Sequence, residues 1–92
     1  MRYVLLHVGL GEIPAPLAER FYEELRRREW QQASEELACF YRPHRGEDRQ
    51  ALDRVYRDLR DAGAEADLYD VECAIAFAER PPLVEVVDPW RV

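Results

Sequence analysis

Apolar residues recur along the chain with two different periods, and these periods predict an α+β domain. Residues 2–8 carry apolar side chains at nearly every position, which is typical of a central strand with two buried faces. In residues 15–28 and 47–62 the apolar positions are instead three or four apart, which predicts two amphipathic helices. Gly63 follows the second stripe, where a helix C-cap is expected.

The remaining apolar segments predict strands. Residues 30–33 and 37–42 flank a polar turn and predict a β-hairpin between the two helices. After the second helix, residues 65–77 predict one long strand or two broken ones, and residues 83–87 predict a last strand. This order favours a ferredoxin-like βαββαβ sandwich with an extra C-terminal strand, in which two helices lie on one face of an antiparallel sheet. At 92 residues the chain is expected to form a single domain, 1–92.

An open sheet face follows from this arrangement, because two helices cover only one side of the sheet. If Val4, Leu6 and Val8 face the helices, strand alternation turns their neighbours to the other side. The third strand is expected to add Ala38, Phe40 and Arg42 to that side. An exposed apolar patch usually marks a contact surface. We therefore predict an interaction face that consists of Tyr3, Leu5, His7, Phe40 and Arg42.

We expect this face to make the chain a homodimer, either by face-to-face packing or by addition of the last strand to a neighbour's sheet edge. A different protein partner is an open alternative. Stacking of nucleotide bases on Tyr3 and Phe40 is a third, with Arg2 and Arg42 for the phosphates. The net charge of −6, from 19 acids and 13 arginines, argues against nucleic acid as the partner, although a local basic site stays possible.

Composition and chemistry narrow the other possibilities. No apolar run is long enough to cross a bilayer, so we expect a cytoplasmic protein without a membrane partner. Cys39 and Cys73 lie in apolar segments and are expected to be buried, reduced thiols. We expect no metal and no cofactor, because the soft ligand candidates lack the close spacing of a zinc site; they are His7, Cys39, His44 and Cys73.

No catalytic set is apparent in the sequence. Asp67, Asp70 and Glu72 form a local acidic run, but a solvated surface explains them better than a cation site. Ser34 is the only serine and has no base nearby in the sequence. Gly9-Leu10-Gly11 follows the first strand and indicates a tight turn rather than a phosphate loop.

The predicted topology is similar to that of the small dimeric nuclease-like proteins of CRISPR adaptation and of some toxin–antitoxin systems. This resemblance implies a dimer in which the last strand reaches the partner, and an aspartate at the end of the first strand that binds a metal. Here that region reads His7-Val8-Gly9-Leu10-Gly11, and the first acid is Glu12.

Three functions stay open at this point. The preferred one is a non-enzymatic homodimer of regulatory or antitoxin type. The alternatives are a metal-dependent nuclease that uses Asp70, Glu72 or His7, and an acidic inhibitor that imitates the charge of nucleic acid.

Overall fold

Two helices and a four-stranded antiparallel sheet make up the fold, in a computed structural model that describes residues 1–91. In chain order the elements are β1 (Arg2–Gly9), α1 (Ala15–Arg27), β2 (Gln31–Ser34), β3 (Leu37–His44), α2 (Asp48–Glu65) and β4 (Glu72–Ala78). A short 3-10 turn follows at Pro89–Arg91. The strands lie in the order β2-β3-β1-β4, so β1 and β3 are central and β2 and β4 form the two edges.

The core lies between one face of the sheet and the two helices. Val4, Leu6 and Val8 of β1 are almost completely buried, which confirms that this side of the strand faces the helices. The other large, fully buried side chains come from both helices and from β3, and they are Phe21, Leu25, Val55 and Phe40. Complete burial of one such side chain stabilises the fold by about 1.5–3 kcal/mol.

The first helix has the predicted extent. Phe21 and Leu25 of its predicted stripe lie in the core, Leu17 is only partly buried, and proline occupies its first turn, where no amide hydrogen is needed. It ends at Arg27, one residue before the predicted end, and Glu29 then adopts a left-handed conformation with φ of 70°. Within residues 1–91, neither helix is both long and apolar enough to span a bilayer.

The second helix continues beyond its predicted end, and the predicted C-cap at Gly63 is wrong. The helix runs to Glu65, and Asp67 is the residue that turns left-handed, with φ of 61°. Gly63 is required for a different reason: a Cβ atom there would lie 2.7 Å from the carbonyl oxygen of Leu68. The Leu68 amide in turn donates a 2.8 Å hydrogen bond to the Gly63 carbonyl, so the loop packs directly on the helix backbone.

Two strand predictions need correction. Of residues 65–77, the first seven belong to the end of α2 and to a loop, and β4 begins only at Glu72. The last strand expected over residues 83–87 does not form in the described chain, where this segment has no regular secondary structure and no partner strand. Its side chains are exposed, with Leu83 at 83% and Val86 at 104% of the reference area. Within a single copy this segment, which follows Pro81-Pro82, pairs with neither of the two edge strands, β2 and β4.

Candidate functional site

The side of the sheet that faces away from the helices is not covered by any element of the described chain. Tyr3, Leu5 and His7 of β1 lie on it, as predicted, because they alternate with the buried positions. The strand register brings Tyr41 of β3 and Ala76 of β4 to either side of Leu5. We call this surface the open face.

Most side chains of the open face are apolar and partly exposed. The rings of Tyr3 and Tyr41 lie side by side, with centroids 6.4 Å apart and planes inclined by 59°. Next to them β4 contributes the small side chains Ala76 and Ala78, so the surface is low at that point. By register, the apolar members of the open face are Tyr3, Leu5, Leu37, Cys39, Tyr41, Pro43, Ala74, Ala76 and Ala78.

Phe40 and Arg42 do not belong to the open face, and their assignment to it is wrong. Phe40 pairs with Leu6 and is completely buried, with its ring 5.5 Å from that of Tyr22 on α1. Arg42 pairs with Val4 and therefore also lies on the helix side. Ala38 lies on the same side of β3 as Phe40 and Arg42. Because both sides of β3 carry apolar residues, only its pairing with β1 determines which of them face the helices.

Arg42 instead joins the sheet to the C-terminal end of α1 and to the middle of α2. Its guanidinium donates a 2.6 Å hydrogen bond to the carbonyl of Arg28 and a 2.8 Å hydrogen bond to Glu29 Oε2. It also lies 3.7 Å from Asp58 Oδ2 on α2. Burial, together with the neighbouring charge of Arg54, lowers the pKa of Arg42 below its ordinary value. A charged side chain in this position has a structural role on the helix side rather than a role in the predicted interaction face.

The two cysteines lie on opposite faces of the sheet. Cys39 opposes His7 on the open face, which corrects its predicted place in the core, whereas Cys73 opposes Val8 on the helix side. Both thiols are free and only partly buried, and burial raises the pKa of Cys73. Because β1 separates the two strands that carry them, their Cα atoms are about 10 Å apart by strand spacing, too far for a disulfide.

The side chains considered for metal binding are dispersed. His7 and Glu72 lie on the open face, and Asp70 lies in the loop before β4. Among the described residues, no three His, Cys, Asp or Glu side chains come together as a possible metal site. Ser34 accepts a 3.1 Å hydrogen bond from the amide of Glu36, as turn serines do.

Sequence reasoning missed the central position of Tyr41 and the row of alanines beside it. The alternation of Ala74, Ala76 and Ala78 with larger apolar residues in β4 was the available signal, because it places every small side chain on one face. It also missed that the apolar segment 83–87 would be unpaired. No protein-family model, no curated protein and no solved structure matches this chain.

Proposed function

We propose that the chain is a homodimeric protein-interaction domain that acts through contacts rather than through catalysis. The observation that carries this proposal is the open face, where Tyr3, Leu5 and Tyr41 are partly exposed on two central strands. Apolar side chains at the centre of a sheet gain from being covered, and a second copy offers a surface of the same composition.

The open face alone is slightly too small for a stable contact between two copies, so we infer that the contact includes more than the sheet. β1 has eight residues, about 26 Å at ~3.3 Å per residue, and four strands span about 19 Å. The open face therefore covers roughly 500 Å², and two faces would bury about 1,000 Å² in total. Stable specific interfaces usually bury about 1,200 Å² or more. Face-to-face packing alone would thus fall slightly short.

The segment 83–87 can supply the remaining area. Four of its five residues are apolar, and Leu83, Val86 and Val87 are largely exposed. β4 is an edge strand whose outer backbone groups have no partner strand in the described chain. We infer that segment 83–87 of each copy pairs with the β4 edge of the other, which would satisfy both backbones and extend the buried surface.

The strand order is compatible with the finer architecture that we infer. A β-α-β-β-α-β chain with strands in the order β2-β3-β1-β4 is the arrangement of ferredoxin-like domains, so we infer that architecture here. In this arrangement the helices cover one side of the sheet and leave the other available for assembly.

The oligomeric state tests the proposal most directly. Sedimentation equilibrium at micromolar concentration is expected to give the mass of a dimer. The variant Ala76→Glu places a charge on the exposed centre of the open face and is expected to give a monomer, because two carboxylates would be buried at the contact. Ala64→Glu, at an exposed position of α2, is the matched control and should remain dimeric. A monomeric wild-type chain, or equal behaviour of the two variants, would contradict the proposal.

A further inference from the structure

A cavity of about 250 Å³ opens on the helix side of the sheet, between the end of β3 and the first turns of α2. Its apolar wall includes Trp30, Ala51 and Val55. Its polar wall is basic and consists of Arg42, Arg45, Arg54, His44 and Gln50. Of the described residues, no aspartate or glutamate lines it. The cavity lies on the helix side of the sheet, and it shares with the open face only Pro43, near the end of β3.

The positive charge of this cavity contrasts with the net charge of −6 of the whole chain. Three guanidinium groups line it, and three acids that lie outside the wall approach its basic residues: Glu29 and Asp58 approach Arg42, and Asp48 approaches His44. Arg54 approaches the carboxylates of Glu29 and Asp58 only to 3.9 and 3.8 Å, which is longer than a hydrogen bond. Its planar group of donors is therefore available to a ligand, as is that of the exposed Arg45.

His44 shows independently that polar groups at this cavity are incompletely satisfied. Its side chain is only 9% exposed, and neither ring nitrogen makes a hydrogen bond with the described residues. Nε2 lies 3.1 Å from Asp48 Oδ1 without hydrogen-bond geometry, and both oxygens of that carboxylate already accept hydrogen bonds from Arg2. Buried polar groups without partners are rare in proteins. Both nitrogens are inaccessible, so His44 itself is assigned no contact with a ligand in the cavity.

We propose that this cavity binds a small phosphate monoester. Arg45 and Arg54 hold the phosphate, since guanidinium groups match its oxygens in pairs and share its charge. The organic part lies against Ala51 and the small part of Trp30 that lines the cavity, since Trp30 is only 2% exposed. The volume is below the roughly 300–1,000 Å³ of pockets for drug-sized ligands, so the ligand is small.

Fluorescence of Trp30 gives a direct readout of binding. The chain has two tryptophans, and the exposed Trp90 can be replaced by phenylalanine so that Trp30 is the only reporter. In the Trp90→Phe background, phenyl phosphate is expected to change this fluorescence saturably, with one site per chain by calorimetry. Inorganic phosphate should compete with it, and benzoate, which has one negative charge, should bind more weakly.

Two variants localise the site. Arg54→Gln is expected to weaken phenyl phosphate binding by about tenfold or more, because it removes charged donors to the phosphate. Arg57→Gln, which makes the same charge change at an exposed position away from the cavity, should leave affinity unchanged. Ala51→Phe fills the cavity without a change of charge and should abolish binding, with circular dichroism to verify folding of each variant.

Several outcomes would overturn the assignment. The first is that phenyl phosphate shows no saturable binding, and the second is that a single-stranded oligonucleotide binds where phenyl phosphate does not. Equal loss of affinity for phenyl phosphate in Arg54→Gln and Arg57→Gln would also contradict the assignment, as would benzoate binding as tightly as phenyl phosphate. The assignment does not depend on the dimer. The Ala76→Glu variant should therefore bind phenyl phosphate as the parent does, whatever its oligomeric state.

Discussion

The indole Nε1 of Trp30 donates a 3.0 Å hydrogen bond to Oδ2 of Asp58, which joins the residue before β2 to the middle of α2 inside the core. Trp30 is 2% exposed and Asp58 is 8% exposed, so water cannot replace either partner readily. The same carboxylate lies 3.7 Å from Arg42, and the three side chains therefore join the sheet to the C-terminal end of α1 and to the middle of α2. This cluster explains why a carboxylate can be buried beside an apolar core.

We expect Trp30→Phe to lower the free energy of unfolding by about 1–3 kcal/mol, because it removes the closest donor to a buried carboxylate. Urea denaturation followed by circular dichroism measures the change. Trp90→Phe is the matched control, since Trp90 is 93% exposed, and should change stability by no more than about 0.5 kcal/mol. Equal effects of the two substitutions would show that the Trp30–Asp58 hydrogen bond contributes nothing measurable.

Gly63→Ala is expected to destabilise the fold although alanine favours helices. The added methyl group would lie 2.7 Å from the Leu68 carbonyl oxygen, so the loop would have to shift, at a cost of about 1–3 kcal/mol. Thermal and urea unfolding both measure this. Gly11→Ala is the control, because a Cβ there meets nothing within 4 Å. A Gly63→Ala variant as stable as the parent would contradict the packing described for this helix.

Acid is expected to weaken the ion pair between Arg2, at the start of β1, and Asp48, at the start of α2. The hydrogen bonds from Arg2, followed by its charge, hold the pKa of Asp48 below the ordinary value. The unfolded carboxyl titrates near pH ~4. The contribution of the Arg2–Asp48 pair to stability is therefore complete above about pH 4, and it is lost as the pH falls through the lower pKa that Asp48 has in the folded state.

Denaturation at a series of pH values tests this. Relative to the parent, Asp48→Asn should be destabilised near neutral pH, and the difference should shrink below about pH 4 as the parent's carboxylate is protonated. For Asp53→Asn, at an exposed position of the same helix, the free energy of unfolding should change with pH as it does in the parent. A constant difference between the parent and Asp48→Asn across this range would contradict the role given to the Arg2–Asp48 pair.

Removal of residues 83–92 separates assembly from folding. Of this segment, the described residues 83–90 are all exposed, so their loss should leave the midpoint of urea unfolding nearly unchanged at concentrations where the parent is monomeric. Under the proposed dimer, the same truncation should weaken self-association, because the residues that pair with the β4 edge are gone. Sedimentation measures the association. Unchanged dimerisation would restrict the contact to the open face.

Several elements of this fold were predictable because their signals are local. Leu17, Phe21 and Leu25 recur at four-residue spacing, and a helix follows from that period in almost any context. The side of β1 that faces the core was predictable as well. Val4, Leu6 and Val8 are all branched aliphatic residues, while the opposite side includes His7, so the more apolar side was assigned to the core.

Features that depend on pairing were not predictable. In β3, Phe40 and Tyr41 are neighbouring aromatic residues on opposite faces, and either could have been the buried one. The contact of Gly63 with Leu68, and the meeting of Arg42, Arg54 and Trp30 at one cavity, involve residues that no sequence period connects.

By itself, the sequence determined the two helices and β1, and it determined which side of each of them is apolar. These properties are set by neighbours three or four positions away in a helix, or two in a strand. Only the tertiary structure decided which side of β3 is buried, whether segment 83–87 has a strand to pair with, and which charged residues gather beside Trp30. The reason is physical: strand register and interhelical contacts bring together residues that are distant in the chain, and a shift of one position in register turns every side chain to the other face.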